Sequence, residues 1–415
     1  MRHGGARVQA AVPEKPAVTS THPAPQASDE RWVTREVLLV LVTQVLFGLG
    51  WSMYLLAPKY MVTVLSAGPE VVGRSSAAEG IASLLTVPFA ATGLDRFGRR
   101  RFFRVGTGLL LSVSLVYHFV DHVGPLLFVL QGCIAASWVL AFNASAAMIT
   151  DLAPPSRMGQ AIGWLGAANV ATNAISTTVA ESVADHFGWH AVFYVAAGCA
   201  SVALGMSLNL PKTSAPVALS TSATPAASKV FDRTFVRMLT ASMLVGAVFA
   251  AMFSFLQPYA IELGARRLRD FFIGFTIAAV ACRVVFGSLG DRLGRRRISA
   301  LSMLGYALCA FAVTRLDPSW LWAYGLAFGT AHGVLYPTLG ALVLEGVPAS
   351  RRGFGLALYN GAFNIGKASG GLGFGLIAAS SGYPPAFALA GTLGLLGVLT
   401  VAGSGPRRAR ADVAA

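Results

Sequence analysis

Two charged residues lie deep inside long apolar stretches. Glu79 shares a helical stripe with Ser75, Ser83 and Thr86, and Lys367 follows Asn360 and Asn364 at seven and three residues. A charge inside lipid costs about 3 kcal/mol on insertion scales, so these two are expected to pair, move a proton or hold an ionic solute. Glu79 is the acid that this reading places well inside a helix, which makes it the candidate for proton coupling. Lys367 is the candidate for an anionic or zwitterionic solute. Other polar groups recur at helical spacing: Gln44 with Trp51, Asn169 with Asn173, His332 with Tyr336, and Gln257 alone. Such side chains hydrogen-bond a solute or join neighbouring helices. No Ser/His/Asp set, His-Glu-x-x-His or Walker pattern occurs in its required setting, so neither catalysis nor a cofactor or metal is expected.

The elements that carry these residues follow from composition. The chain has 415 residues, 55% of them hydrophobic and 12% charged, and a mean hydropathy of +0.62. A soluble chain could not hide so much apolar surface. Apolar segments run over 34–57, 70–92, 102–120, 125–149, 158–183, 189–209, 234–259, 271–290, 298–315, 319–344, 352–379 and 384–403. Each is long enough to cross about 30 Å of hydrocarbon as a helix. They lack the alternation of a β-barrel, the other structure that satisfies the backbone in lipid. The expectation is an all-α polytopic membrane protein with twelve transmembrane helices. Residues 1–31, rich in Ala and Pro, read as a disordered tail without a signal-peptide core. The polar stretch 210–233 separates a six-helix bundle, 32–209, from a second, 234–404, and 405–415 forms a C-terminal tail.

Net charge is +14, but the basic residues sit in short loops instead of on one face, which argues against nucleic acid. Of the 32 Lys+Arg, only Lys59, Arg74, Arg266, Arg267, Arg269 and Arg315 fall opposite the N-terminal side, with Arg283 and Lys367 intramembrane. That asymmetry places both termini in the cytoplasm. The trio Arg266, Arg267 and Arg269 runs against it and reads as a surface feature. Cys133, Cys199, Cys282 and Cys309 lie in apolar stretches and read as packing residues. So do Gly366, Gly370, Gly371 and Gly375, spaced for helix contact.

Comparing the two halves yields a repeat. Asp95-Arg96-Phe97-Gly98-Arg99-Arg100-Arg101 returns 196 residues later as Asp291-Arg292-Leu293-Gly294-Arg295-Arg296-Arg297. Asp151 through Gly159 returns loosely as Glu345 through Gly353, and His186-Phe187-Gly188-Trp189 as Ser380-Ser381-Gly382-Tyr383, both 194 residues on. Two like-oriented halves imply a pseudo-twofold axis along the membrane normal, with a site near the midplane between them.

The repeated segment resembles the loop signature of the major facilitator superfamily. The second copy carries Gly287, Gly290, Asp291, Arg292, Gly294 and Arg295; the first carries Asp95, Arg96, Gly98 and Arg99 but has Ala91 and Leu94 at its packing positions. His332-Gly333, Tyr336-Pro337, Arg351-Arg352-Gly353 and Gly361 through Asn364 resemble the bacterial drug- and sugar-efflux branches. The resemblance implies a secondary transporter in a bacterial inner membrane. It would move a small solute by alternating access with protons as coupling ion, as a monomer among membrane lipids. It also implies that the polar stripes converge on a central cavity. Asp95 and Asp291 would sit against the starts of the eleventh and fifth helices when the cytoplasmic side is closed, with Arg283 in the same gating network. The antiporter pattern of the fifth helix is absent: Ser176-Thr177 stand at its Gly-Pro and Ala180-Glu181 at its Gly-Gly. Phe128 replaces the arginine common in the fourth. A transport-inactive sensor on the same fold is the alternative, and solute and direction stay open.

Overall fold

The computed structural model describes Met1 and residues 33–154, 156–211, 233–286, 293–345, 347–348 and 351–403. The tails expected at 1–31 and 405–415, most of the 210–233 stretch, and Gly287, Gly290, Asp291 and Arg292 lie outside the described residues.

Among the described residues, twelve long helices follow one another. They are α1 (Arg35–Thr63), α2 (Pro69–Phe97), α3 (Arg99–Val116), α4 (Pro125–Leu152), α5 (Met158–Phe187) and α6 (Trp189–Ser207), then α7 (Arg233–Glu262), α8 (Arg269–Phe286), α9 (Arg295–Val313), α10 (Leu321–Leu344), α11 (Arg352–Ser381) and α12 (Tyr383–Ala402). Proline in the first turn starts α2, α4 and α12, where its missing N–H costs nothing. Gly98, Gly188, Gly294 and Gly382 separate consecutive helices with φ of 88°, 80°, 91° and 83°, a backbone region that penalises a side chain. These four turns fall at equivalent points of the two halves.

The repeated segment is therefore tighter than a loop. Asp95 belongs to the last turn of α2, and Gly98 alone lies between α2 and α3.

The packing inside each half is the same. α1 contacts α5 and α6, α2 contacts α4, and α3 contacts α4 and α6; likewise α7 contacts α11 and α12, α8 contacts α10, and α9 contacts α10 and α12. Between the halves two seams form, α2 on α11 and α5 on α8. Among the described residues, nine of the twelve helices are apolar and long enough to cross a membrane; the three others, α5, α8 and α11, are seam helices.

The first helix of each half is interrupted. A 3-10 turn, Met53–Leu56, divides α1 and a π turn, Ala251–Phe255, divides α7. Pro58 and Pro258 follow these breaks, and a proline removes the amide that would continue the preceding turn. The carbonyl of Leu55 is thereby available to a partner outside its helix.

Candidate functional site

Lys367 of α11 and Glu79 of α2 meet across the first seam, Nζ to Oε2 at 2.5 Å. The side chains are 19% and 25% exposed, so the pair borders open space instead of being sealed in the core. Small residues allow the approach. A Cβ on Gly80 would lie 2.8 Å from the carbonyl oxygen of Asn364, and one on Gly73 would lie 2.6 Å from that of Gly371. Two oppositely charged groups in a low-dielectric seam stabilise each other only while both are charged and in contact. The pair is therefore a contact that a proton or an ionic solute can open.

Around it, Tyr336 donates from its hydroxyl to Asn360 Oδ1 at 2.8 Å, and Tyr359 donates to the carbonyl of Tyr336. Asn364 spends its amide on the carbonyl of Asn360 in its own helix. His332 is buried and shares a hydrogen bond through Nδ1 with the hydroxyl of Tyr306, between the rings of Phe249, Phe275 and Phe328. Its partners all belong to the C-terminal half. In the N-terminal half, Gln44 bonds Asn169 and Ser145, Asn173 accepts from Ser52, and Trp51 donates to the carbonyl of Ile134. These bonds join helices within one half, the role expected of polar glue. At the site of the missing antiporter pattern, Ser176 does the same by donating to the carbonyl of Leu49, while Thr177 donates to the carbonyl of Asn173 in its own helix.

At the end of the bundle opposite the arginine repeats, the halves are fastened by groups that sequence reading assigned elsewhere. Glu181 lies in α5, six residues before its end, with a side chain 1% exposed. Its Oε1 accepts from Lys59 Nζ at 2.7 Å and from the backbone N–H of Leu268 at 2.9 Å. Its Oε2 accepts from the N–H of Arg269 at 3.2 Å, and Arg269 Nη1 donates to Ser182 at 3.1 Å. Glu79 is thus not the sole acid inside a helix, because α5 continues to Phe187, past the expected boundary. Arg269 is likewise no mere surface feature; Arg266 and Arg267 are exposed. Nearby, Gln257 donates to the freed carbonyl of Leu55 at 2.7 Å. An acid amid a hydroxyl-rich stretch of an apolar helix was the available signal for Glu181.

Inward from that fastened end, Leu84 lies beside Gly361, and Arg283 donates to the carbonyl of Gly166 at 3.1 Å. Leu84 is about 20 Å short of the end of α2. Nearer the arginine repeats, Leu85 and Phe89 are exposed, and a Cβ on Gly159 or Gly353, at the starts of α5 and α11, would meet no described atom within 4 Å. Among the described residues, the hydrogen bonds and ion pairs that join the halves gather toward the end bearing Glu181.

The repeats themselves form matching ion pairs. Arg99 bonds Asp151 and the carbonyl of Ala147, while Arg295 reaches Glu345 at 3.3 Å, the same two positions of each half. Arg96 is exposed and lies over the Phe97 ring. The side chain of Asp95 lies outside the described residues.

The family model described as Major Facilitator Superfamily matches residues 40–269 and 269–413. Multidrug resistance protein 2 of Bacillus subtilis (strain 168) is 26% identical over 299 residues, 68% of this chain and 73% of that protein. Among solved structures, a variant of the nucleoside transporter NupG superposes with a TM-score of 0.74 at 13% identity, over 89% of this chain and 100% of that one. A D-xylose-proton symporter gives 0.72 at 18% identity, over 89% and 97%.

Proposed function

The chain belongs to the major facilitator superfamily and is a secondary transporter, and from that premise we propose that it moves a small anionic or zwitterionic solute together with a proton. The observation that carries this reading is the ion pair between Glu79 and Lys367, one group from each half. Protonation of Glu79 removes its charge and leaves Lys367 without a counter-ion in a low-dielectric seam. The ammonium then favours an anionic group of the solute. Return of the carboxylate displaces that group. Because the partners sit on different halves, their attachment differs between conformations, which is the requirement for coupling to a two-state equilibrium. Tyr336, Asn360 and Asn364 are the neutral groups placed to orient the solute from the same half.

Positive residues favour the cytoplasm, so the end bearing the arginine repeats is assigned there and the conformation described is the one fastened on the opposite, outer side. Both termini are then cytoplasmic, in a bacterial inner membrane, with bundles 32–209 and 234–404 rocking about the midplane as a monomer. Glu181, Lys59, Arg269 and Gln257 form the outer clamp, and the arginine repeats with Asp95, Asp291 and Arg283 are assigned to an inner one made in the alternate conformation. The sensor alternative finds no support in the comparisons.

A thermal-shift screen of the purified protein against anionic, zwitterionic, neutral and cationic metabolites and drugs tests the reading. A ligand at 100 times its Kd raises apparent stability by about 2.7 kcal/mol. Anionic or zwitterionic hits that vanish in Lys367→Met are expected. Hits confined to neutral or cationic compounds contradict the assignment.

A further inference from the structure

Gln131, in the second turn of α4, is 1% exposed, and its Oε1 is sealed from solvent yet accepts from no group among the described residues. A buried acceptor without a donor is costly, so it calls for a partner in some state of the molecule. It stands about 30 Å of helix from the end of α4 that meets the arginine repeats. The neighbouring glycine fixes its surroundings. A Cβ on Gly132 would lie 3.3 Å from the Cβ of Ala82 and 3.7 Å from the carbonyl oxygen of Ala78, so α4 rests there on α2. Both helices run toward the arginine repeats, since Arg99, just past the end of α2, bonds Asp151 in the last turn of α4. Between helices that run the same way, the residue after a contact on one and the residue before it on the other fall on the same side. Those residues are Glu79 and Gln131. Ser75, one turn before Glu79 on that side, also has a buried hydroxyl without a described partner, whereas Thr86 and Thr92 of the same helix donate to carbonyls four residues back.

While Glu79 is a carboxylate bonded to Lys367, it has no proton to give, and an amide oxygen beside it stays idle. A protonated carboxyl is a donor and needs an acceptor in a low-dielectric place. We propose that Gln131 is the positioning residue for the protonated state of Glu79: once Lys367 is released, the carboxyl turns from α11 to α4 and donates to Gln131 Oε1, with Ser75 donating to its carbonyl oxygen. This rests on the proton site proposed above and adds what holds the proton there. The amide stabilises the neutral acid, so it raises the pH at which Glu79 takes up its proton, and it keeps the carboxyl away from Lys367 while a solute occupies the ammonium. Among the described residues, the titratable or charged groups brought to Glu79 by the elements on α2 are two. α11 brings Lys367, and the 3-10 turn after α3 brings Tyr117, whose buried hydroxyl lacks a described partner and feels the Glu79 charge. On α4, Cys133 follows Gly132 and falls on the other side of the contact, and Asp151 is held by Arg99 at the far end, where the arginines of α3 also lie. The π turn of α7, Ala251–Phe255, supplies none.

Infrared difference spectroscopy of the purified full chain in lipid, titrated with acid and without any solute, reads the carboxyl C=O stretch; the band lost in Glu79→Gln belongs to Glu79. In the parent it is expected at the frequency of a hydrogen-bonded acid. Gln131→Leu is expected to move it to the higher frequency of a free acid and to lower the midpoint of its appearance by about 0.4–1.1 pH units, the value of one neutral hydrogen bond. Ser299→Ala, which removes a buried unpartnered hydroxyl on α9, is expected to change neither. Gln131→Met takes the place of Gln131→Leu if that variant does not elute and fold as the parent does. A Gln131 that only packs would leave the titration unmoved. A Glu79 band that keeps its frequency and midpoint in Gln131→Leu therefore overturns the proposal and leaves the proton site standing, as does a shift produced by Tyr117→Phe in its stead. Absence of any Glu79-dependent band overturns the proton site and its acceptor together.

Discussion

Replacing Glu181 by glutamine keeps the side chain's shape and removes its charge. The carboxylate accepts at both oxygens, from Lys59 and Leu268 at Oε1 and from Arg269 at Oε2. An amide has one acceptor, so in either orientation its NH2 group faces a donor from the start of α8. At least one charge-assisted bond across the halves is lost, and in a buried site such a bond is worth about 1.5–3 kcal/mol. The helix N-terminus of α8 also loses an anion, a smaller term of the same sign. The ratio of outer-closed to outer-open molecules should therefore fall roughly 12- to 160-fold. Spin labels at Val64 and Leu263, exposed positions on either side of the clamp, report this by electron-electron resonance once the four cysteines are replaced by alanine. Glu181→Gln should shift the distribution to longer distances. Asp185→Asn, which touches Lys59 only at 4.0 Å and is mostly exposed, should not, because exposed pairs contribute about 1 kcal/mol at most. A distribution in Glu181→Gln that superposes on the parent's refutes the clamp.

Three further outcomes are expected. Asp95→Asn and Asp291→Asn should each favour the cytoplasm-open state by about 0.3–2 kcal/mol, the value of an anion at a helix N-terminus, read as faster alkylation of a cysteine introduced in the cytoplasmic cavity; unchanged labelling in both reduces the motif to a topology device. Arg99→Ala should lower the melting temperature more than Arg295→Ala. Arg99 and Asp151 are 8% and 17% exposed, against 37% and 44% for Arg295 and Glu345, and an orphaned buried acid costs about 3–5 kcal/mol; equal melting shifts contradict this. Gly371→Val places its Cβ 2.8 Å from Ser76 and should open the α2–α11 seam, seen as a longer spin-label distance between those helices, with no change counting against the seam.

The fold was legible because lipid leaves few choices: apolar length gave the helices, and the paired Asp-Arg-x-Gly-Arg-Arg-Arg segments exposed the duplication. The meeting of Glu79 with Lys367 was half legible. Each residue stood out as a charge in an apolar run, but that they sit on facing seam helices is a tertiary fact. Glu181 stayed hidden because it lies near a helix end, where an acid ordinarily reaches water. Its enclosure depends on Lys59 and on the start of α8, both remote in sequence. Arg269 was misread for the same reason, since its backbone amide does part of the binding. His332 looked like a cavity residue by helical spacing, yet its hydrogen bond goes to Tyr306 on α9, a partner no spacing rule reveals.

Counterflow of a labelled solute from the thermal-shift screen, in proteoliposomes, tests the central claim most directly, with Glu79→Gln and Lys367→Met beside the wild type. Glu79→Gln should exchange solute yet no longer accumulate it in response to a pH gradient, because the proton site is gone and the ammonium remains. Lys367→Met should show no counterflow at any pH from 5 to 8, about the working range of the assay. Lys367→Met exchanging the solute at the wild-type rate would contradict the account and leave the Glu79–Lys367 pair a structural contact.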